Sequence, residues 1–315
     1  MDVTDYVHHA GVRLALYRWG IADGRPVVVL VHGYPDRASV WDGVAEALAD
    51  RYDVVAYDVR GAGRSSAPRR VADYALEHLV GDLAAVIDAV RSHQMVHLVG
   101  HDWGSIQSWA ALSAPALAGR IASFTSISGP DIEYARAWLR RRLASRRLRH
   151  IAGALRQLAH SWYIGAFLIP GLGALPWRLG LAAHWPWWLS RTEAVSVPPD
   201  PMRARDGRHG VKLYRANFAP RLRPPRPRRV EVPVQLIVPL RDRYVRPALF
   251  DDLADMVPRL HRREVDAGHW LPLAQPRALA AWIAEHVEAN RSLQPSGSSP
   301  AGGSRAQLTT PPVCG

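Results

Sequence analysis

At 315 residues and 48% hydrophobic content, the chain can bury one large core or two modest ones. Its single cysteine, Cys314, excludes a disulfide framework and a cysteine-rich metal site. The net charge of +12 raises nucleic acid as a partner, but 39 arginines stand against one lysine, Lys212, and no nucleic-acid module signature accompanies them.

The N-terminal stretch MDVTDYVHHAGVRLALYRW has no basic n-region and no apolar h-region, so no signal peptide is read and a cytoplasmic location is expected. VRLALYRW alternates as a strand, PVVVLVHG is a buried-strand run, and SVWDGVAEALAD has helical spacing. DVVAYD, MVHLVG and IASFTSISG read as strands, LEHLVGDLAAVIDAVR as a helix, and a further helix opens at Trp103. Short apolar strands separated by amphipathic helices predict an α/β fold, a mostly parallel sheet with helices on both faces.

From 133 to 228 the pattern changes to helical, Trp-rich and Arg-rich segments, predicting a helical insertion after about the sixth strand. Its longest uncharged stretch, WYIGAFLIPGLGALPW (162–177), falls short of the roughly 20 residues of a membrane span. With HWPWWL (184–189) it is read as the lining of an apolar pocket, with contact at a membrane interface as the second reading. The basic runs RRRLASRRLRH (140–150) and RLRPPRPRR (221–229) are read as solvated surface. Core patterning resumes over 229–290: VPVQLIVP and LHRREVD as strands, with helices near Pro247 to Asp255 and from Pro276 to about Val287. Residues 291–315 are low-complexity and expected to be disordered.

Three loops carry chemistry. GHDWG (100–104) follows a strand and precedes a helix, the context of a G-x-S-x-G nucleophile elbow, but its centre is Asp102. The helix beyond it favours an ionised carboxylate; an ordinary N-cap aspartate has the same local signature. VHGYPD (31–36) is an HG-x-P turn that would deliver the Tyr34 N–H, paired with that of Trp103, to an oxyanion hole. The Tyr34–Pro35 bond is a candidate cis bond. DAGHW (266–270) places His269 after the last strand, in the chain order nucleophile, acid, histidine, while Asp266 is too local to orient it. Two strand-end residues compete as the orienting acid: Asp242 in RDRYV, which is preferred, and Asp131 in SISGPD.

HGYPD, GHDWG, RDRYV and AGHW, in this order and spacing, resemble the epoxide hydrolases of the α/β-hydrolase fold over about residues 5–290. ASFTSISGP, VPVQLIV and VPRLHRREVDAGH are similar in particular to the hydrolase part of EphD-type proteins, whose C-terminal dehydrogenase domain this sequence is expected to lack. The resemblance implies two catalytic tyrosines on the helical cap: Tyr163 in SWYIGAFLIP, with Phe167 and Pro170 at the family offsets, and Tyr214 in VKLYRANF.

It also implies a mechanism without metal or organic cofactor. An epoxide has no carbonyl, so a carboxylate displaces its carbon from behind and forms an ester on Asp102. The tyrosines assist the departing oxygen, and His269, oriented by Asp242, activates water to hydrolyse the ester. The Trp-rich cap points to a hydrophobic, lipid-like epoxide. A haloalkane dehalogenase with the same triad is the rival reading, with Trp103, Trp162 or Trp185 as halide donors. A non-catalytic apolar-ligand-binding protein is a third. Peripheral membrane contact and a homodimer are carried as expectations; a nucleic-acid partner is not.

Overall fold

The computed structural model describes residues 2–21, 24–91, 94–218 and 224–291. It begins with a hairpin, β1 (Asp5–His9) and β2 (Val12–Trp19), turned by Ala10 and Gly11, both at positive φ. That is the geometry of a tight hairpin turn whose twist matches its strands. Strand β1 buries only Val7, so the sequence gives it little periodic signal, and it was not among the predicted strands.

The alternating region follows: β3 (Val27–Val31), α1 (Asp42–Leu48), β4 (Asp53–Tyr57), α2 (Leu76–Val90), β5 (Val96–His101), α3 (Trp103–Ala111) and β6 (Ile121–Ile127). Six helices come next: α4 (Ile132–Leu143), α5 (Leu148–His160), α6 (Trp162–Leu168), α7 (Leu175–Arg178), α8 (Leu181–Glu193) and α9 (Arg203–Asn217). Among the described residues of this stretch there is no strand. The chain then adds β7 (Val234–Pro239), β8 (Leu260–Val265), α10 (Leu271–Ala274) and α11 (Pro276–Ala289).

The eight strands form one sheet in the order β1-β2-β4-β3-β5-β6-β7-β8, with β2 antiparallel to both neighbours and the rest parallel. The central strands are buried along their whole length because both faces are covered. Along β3, Val27, Val29 and Val31 pack with Leu83 of α2 and Trp109 of α3, while Val28 and Leu30 pack with Leu48 of α1 and Ile283 of α11. A continuous apolar run is therefore two interleaved faces of a period-2 strand.

The chain leaves β3 toward β4 on one side and returns to β5 on the other, so β3 and β5 flank a topological switch point, where ligands bind such sheets. Their register pairs Val31 with Gly100, which sets HGYPD beside GHDWG.

The helix expected at Pro247–Asp255 is instead two short 3-10 turns, Pro247–Phe250 and Leu253–Asp255. Asp252, between them, is pulled toward the cap by Arg141 (2.6 Å) and Arg142 (3.1 Å), and this tertiary tie overrides the helical spacing. Among the described residues, no helix is long and apolar enough to cross a membrane. The expected disordered tail, from residue 292 on, and the first three residues of the second basic run lie outside the described residues.

Candidate active site

Asp102 occupies a backbone conformation of φ 53°, ψ −121°, which L-residues rarely adopt. Its carboxylate makes no N-cap hydrogen bond to α3, so the ordinary-cap reading does not apply. Close approach makes this turn possible. A Cβ on Gly104 would stand 1.9 Å from the Val31 carbonyl, and one on Gly33 would strike the Asp102 carboxylate itself. Asp102 Oδ1 accepts the Tyr34 N–H at 2.7 Å, and Oδ2 faces His269 Nε2 at 3.7 Å. The Tyr34–Pro35 bond is cis. Burial raises the Asp102 pKa to about 6, against the opposing pull of His269 and of the Tyr34 and Trp103 N–H groups.

His269 Nδ1 lies 3.0 Å from Asp242 Oδ2. The other oxygen, Asp242 Oδ1, accepts the N–H groups of Tyr244 (2.7 Å) and Val245 (3.0 Å), so the loop after β7 holds the carboxylate in one orientation. Burial disfavours ionised Asp242, but the His269 charge, their hydrogen bond and these two N–H groups outweigh it, and its pKa is lowered. Burial also opposes charge on His269, yet Asp242 first, then Asp102 and Glu193, raise its pKa to about 9. Asp131, the competing acid, caps α4 instead, accepting the Tyr134 N–H at 2.7 Å. Asp266 is exposed and pairs with Arg241 at 2.7 Å.

A cavity of about 430 Å³ opens above Asp102 and His269, and the inserted helices supply its opposite wall. Tyr163 of α6 and Tyr214 of α9 line it, as do Trp162, Trp177, Trp185 and Trp188 from the Trp-rich zone. The two tyrosine rings meet edge to face with centroids 5.9 Å apart. Burial, and the Asp102 charge after it, push the Tyr163 phenol well above the usual range; burial does the same to Tyr214, with Tyr163 and Asp102 adding to it. Both phenols therefore keep their protons at neutral pH. Trp103 lines a separate small cavity beside Gln107 and Asp206. Among the described residues, no group of three or more His, Cys, Asp or Glu side chains is arranged to hold a metal.

Residues 26–150 match the family profile described as alpha/beta hydrolase fold. An epoxide hydrolase mutant from Bacillus megaterium superposes with a TM-score of 0.73 over 90% of this chain and 100% of that one, at 19% identity. The chain has the α/β-hydrolase fold. An epoxide hydrolase from Vigna radiata gives 0.69 at 23% identity, over 90% of this chain and 97% of that one; at such identities the likeness is one of fold. In sequence, the chain is 40% identical over 299 residues to the probable oxidoreductase EphD of Mycobacterium tuberculosis, covering 91% of the chain and 49% of that protein. It therefore spans about half the length of that relative. Epoxide hydrolase A of the same organism is 41% identical over 124 residues, 39% of this chain and 37% of that protein.

Three further residues of the site escaped sequence reasoning. His101, inside GHDWG, places Nε2 at 2.9 Å from the His269 carbonyl; only a protonated Nε2 can serve a carbonyl, so His101 donates there and steadies the loop. Burial lowers its pKa to about 4, which keeps it neutral. Asp36 accepts Trp270 Nε1 at 2.7 Å and pairs with Arg203 of α9 at 2.8 Å, joining the HGYPD turn, the histidine loop and the cap. Glu193, at the end of α8, accepts the Trp270 N–H at 3.3 Å and closes on Gly268. Its one sequence signal is position: it is the first carboxylate after Glu133.

The acid assignment can be tested without any substrate. In Asp242→Asn the His269 pKa should fall from about 9 into the ordinary histidine range or below, because burial then loses its strongest opponent. Asp131→Asn should leave it in place. Histidine titration by NMR checks this; an unmoved His269 in folded Asp242→Asn would reassign the acid.

Proposed function

We propose that the protein is an epoxide hydrolase that opens a hydrophobic epoxide to a vicinal diol through an ester on Asp102. The observation that carries this reading is the nucleophile's placement: one carboxylate oxygen is bound by the Tyr34 N–H while the other faces His269, in a cavity lined by two protonated phenols. The epoxide hydrolases among the relatives and fold neighbours add support.

Asp102 Oδ2 attacks an epoxide carbon and the carbon–oxygen bond of the ring breaks. Tyr163 or Tyr214 gives the departing alkoxide a proton. Esterification removes the negative charge of Asp102, one of the causes that raise His269, so the histidine pKa falls as the intermediate forms. The imidazole thus releases its proton to solvent and stands neutral, free to accept one, at the stage that needs a base. Water then attacks the ester carbonyl carbon and passes a proton to His269 Nε2. The carbonyl oxygen turned negative is Oδ1, already beside the Tyr34 N–H. The tetrahedral species expels the diol oxygen, His269 protonates it, and the remaining water proton, released as Asp102 ionises again, restores the tyrosine. No resident metal or organic group is part of this scheme.

The dehalogenase alternative needs N–H donors around a halide. Of its three named candidates, Trp103 lines the separate small cavity, while Trp162 and Trp185 line the large one, where Trp185 Nε1 is buried without a hydrogen-bond partner among the described residues. Two other lining indoles already donate, Trp177 to the Tyr34 hydroxyl at 2.7 Å and Trp270 to Asp36. The two protonated phenols in the same cavity, which a departing alkoxide needs and a halide does not, favour the epoxide.

Three outcomes are expected. His269→Gln should be alkylated but hydrolyse its ester very slowly, so mass spectrometry should find one substrate mass on the Asp102 peptide; an unmodified peptide after exposure to a substrate of the wild type would remove the covalent route. The single-turnover alkylation rate should rise about tenfold per pH unit below pH 6 and level off above it, since the raised Asp102 pKa leaves the carboxyl protonated and non-nucleophilic on the acid side. A flat rate between about pH 4.5 and about pH 7.5 would contradict Asp102 as the attacking group. Finally, Tyr163→Phe with Tyr214→Phe should abolish ester formation on epoxides, while each single change leaves partial activity. Turnover of haloalkanes alone, undiminished in the double variant, would transfer the assignment to a dehalogenase.

A further inference from the structure

Helix α5 turns its apolar stripe outward. Its inner face carries Ala154 and Gln157, both buried. Gln157 Nε2 donates to the Tyr244 carbonyl at 2.9 Å, and its Oε1 accepts the Arg246 N–H at 3.0 Å, so this face is fastened to the loop that carries Asp242. The opposite face repeats Leu148, Ala152, Leu155 and Ala159, at spacings of four, three and four, which is one stripe of an α-helix. All four are exposed, Leu148 at 82% and Leu155 at 54%. A helix of a globular protein ordinarily presents such a stripe to the core.

The stripe ends at the cavity. Ala159 and His160, the last two residues of α5, line its wall, as does Trp162, which is 73% exposed. More exposed apolar side chains follow in the same insertion, among them Leu172, Leu179 and Trp187. The charge around them has one sign. Between Glu133 and Glu193 the chain has ten arginines and no aspartate or glutamate. Arg149 and Arg156 lie about 90° around α5 from the stripe, given 3.6 residues per turn. Arg146 and Arg147 precede the helix, and among the described residues none of these four arginines is in an ion pair.

We propose that this face of the cap docks on an anionic phospholipid bilayer, with Leu148, Leu155 and Trp162 in the headgroup–acyl boundary and the arginines on lipid phosphates. An amphipathic helix lying in the interface, its cationic residues flanking an apolar stripe, is a known form of peripheral attachment. A second copy of this chain offering the same face would bring unpaired arginines against unpaired arginines, whereas an anionic surface neutralises them. Docking sets the cavity mouth against the lipid, so a lipid-borne substrate would enter without crossing water. That consequence for substrate rests on the epoxide-hydrolase reading; the docking does not.

The test is co-sedimentation of the full chain with phosphatidylcholine vesicles and with equimolar phosphatidylcholine–phosphatidylglycerol vesicles. The wild type should sediment with the mixed vesicles and not with phosphatidylcholine alone. Leu148→Ser with Leu155→Ser removes apolar surface without changing charge, and Arg149→Glu with Arg156→Glu reverses charge without touching the stripe. Each pair should weaken binding at least about tenfold, with unchanged circular dichroism and unchanged turnover of a water-soluble epoxide. Wild type that stays in the supernatant with mixed vesicles overturns the proposal, as does either folded variant binding like wild type. A solution dimer dissolved by the serine pair would also overturn it, since a second copy would then cover the face. Vesicle binding is read without any reaction, so an inactive protein that still docks would count against the enzyme reading alone.

Discussion

Asp102 is held at φ 53°, ψ −121°, a strained conformation of the kind that costs a non-glycine residue about 1–3 kcal/mol, and the surrounding chain leaves it no easier one. The turn is wedged between the end of β3 and the start of α3, where Gly33 and Gly104 approach closer than any side chain would permit. Relaxing Asp102 would swing its carboxylate away from the Tyr34 N–H and out of line with His269. The geometry of the site therefore depends on a backbone strain that the packed sheet and its helices sustain.

Around that turn, three carboxylates face one imidazole: Asp242, buried and at hydrogen-bond distance, Asp102, buried and beyond it, and half-buried Glu193 across the cap boundary. Burying like charges together is unfavourable unless cations or donors compensate. Here His269 serves Asp242 and Asp102, while backbone N–H groups serve all three. The arrangement leaves Asp102 with the raised pKa and Asp242 with the lowered one, so two carboxylates on either side of one imidazole differ in how readily they ionise.

The cap is tied to this centre by polar contacts of its own. The Arg203–Asp36 pair, the Glu193–Trp270 bond and the Gln157 bonds each join an inserted helix to a loop at the strand ends. A buried ion pair adds little net stability over an apolar contact, but breaking one partner is costly, so such ties specify one cap position more than they strengthen the fold. The same helices hold the cavity's aromatic wall inward and leave the α5 stripe outward.

Much of this was legible along the chain. The apolar runs of β3 to β7, the elbow at Asp102, the HGYPD turn and the histidine loop are local patterns, because strand burial and tight turns impose residue types at neighbouring positions. Tyr163 and Tyr214 were reachable only through family resemblance, since an aromatic in a helix has no local mark of chemistry. Strand β1 was missed because a single buried valine carries no periodicity, and the helix near Pro247 failed because two cap arginines draw Asp252 outward. The choice between Asp242 and Asp131 stood open because both sit at strand ends; it was resolved by distance, 3.0 Å to His269 for one and a helix cap for the other. His101, Asp36 and Glu193 act across separations of up to 234 residues, through contacts that no stretch of sequence contains. Residue order sets which chemistry is on offer; only folding, by closing those separations, sets which groups share a charge.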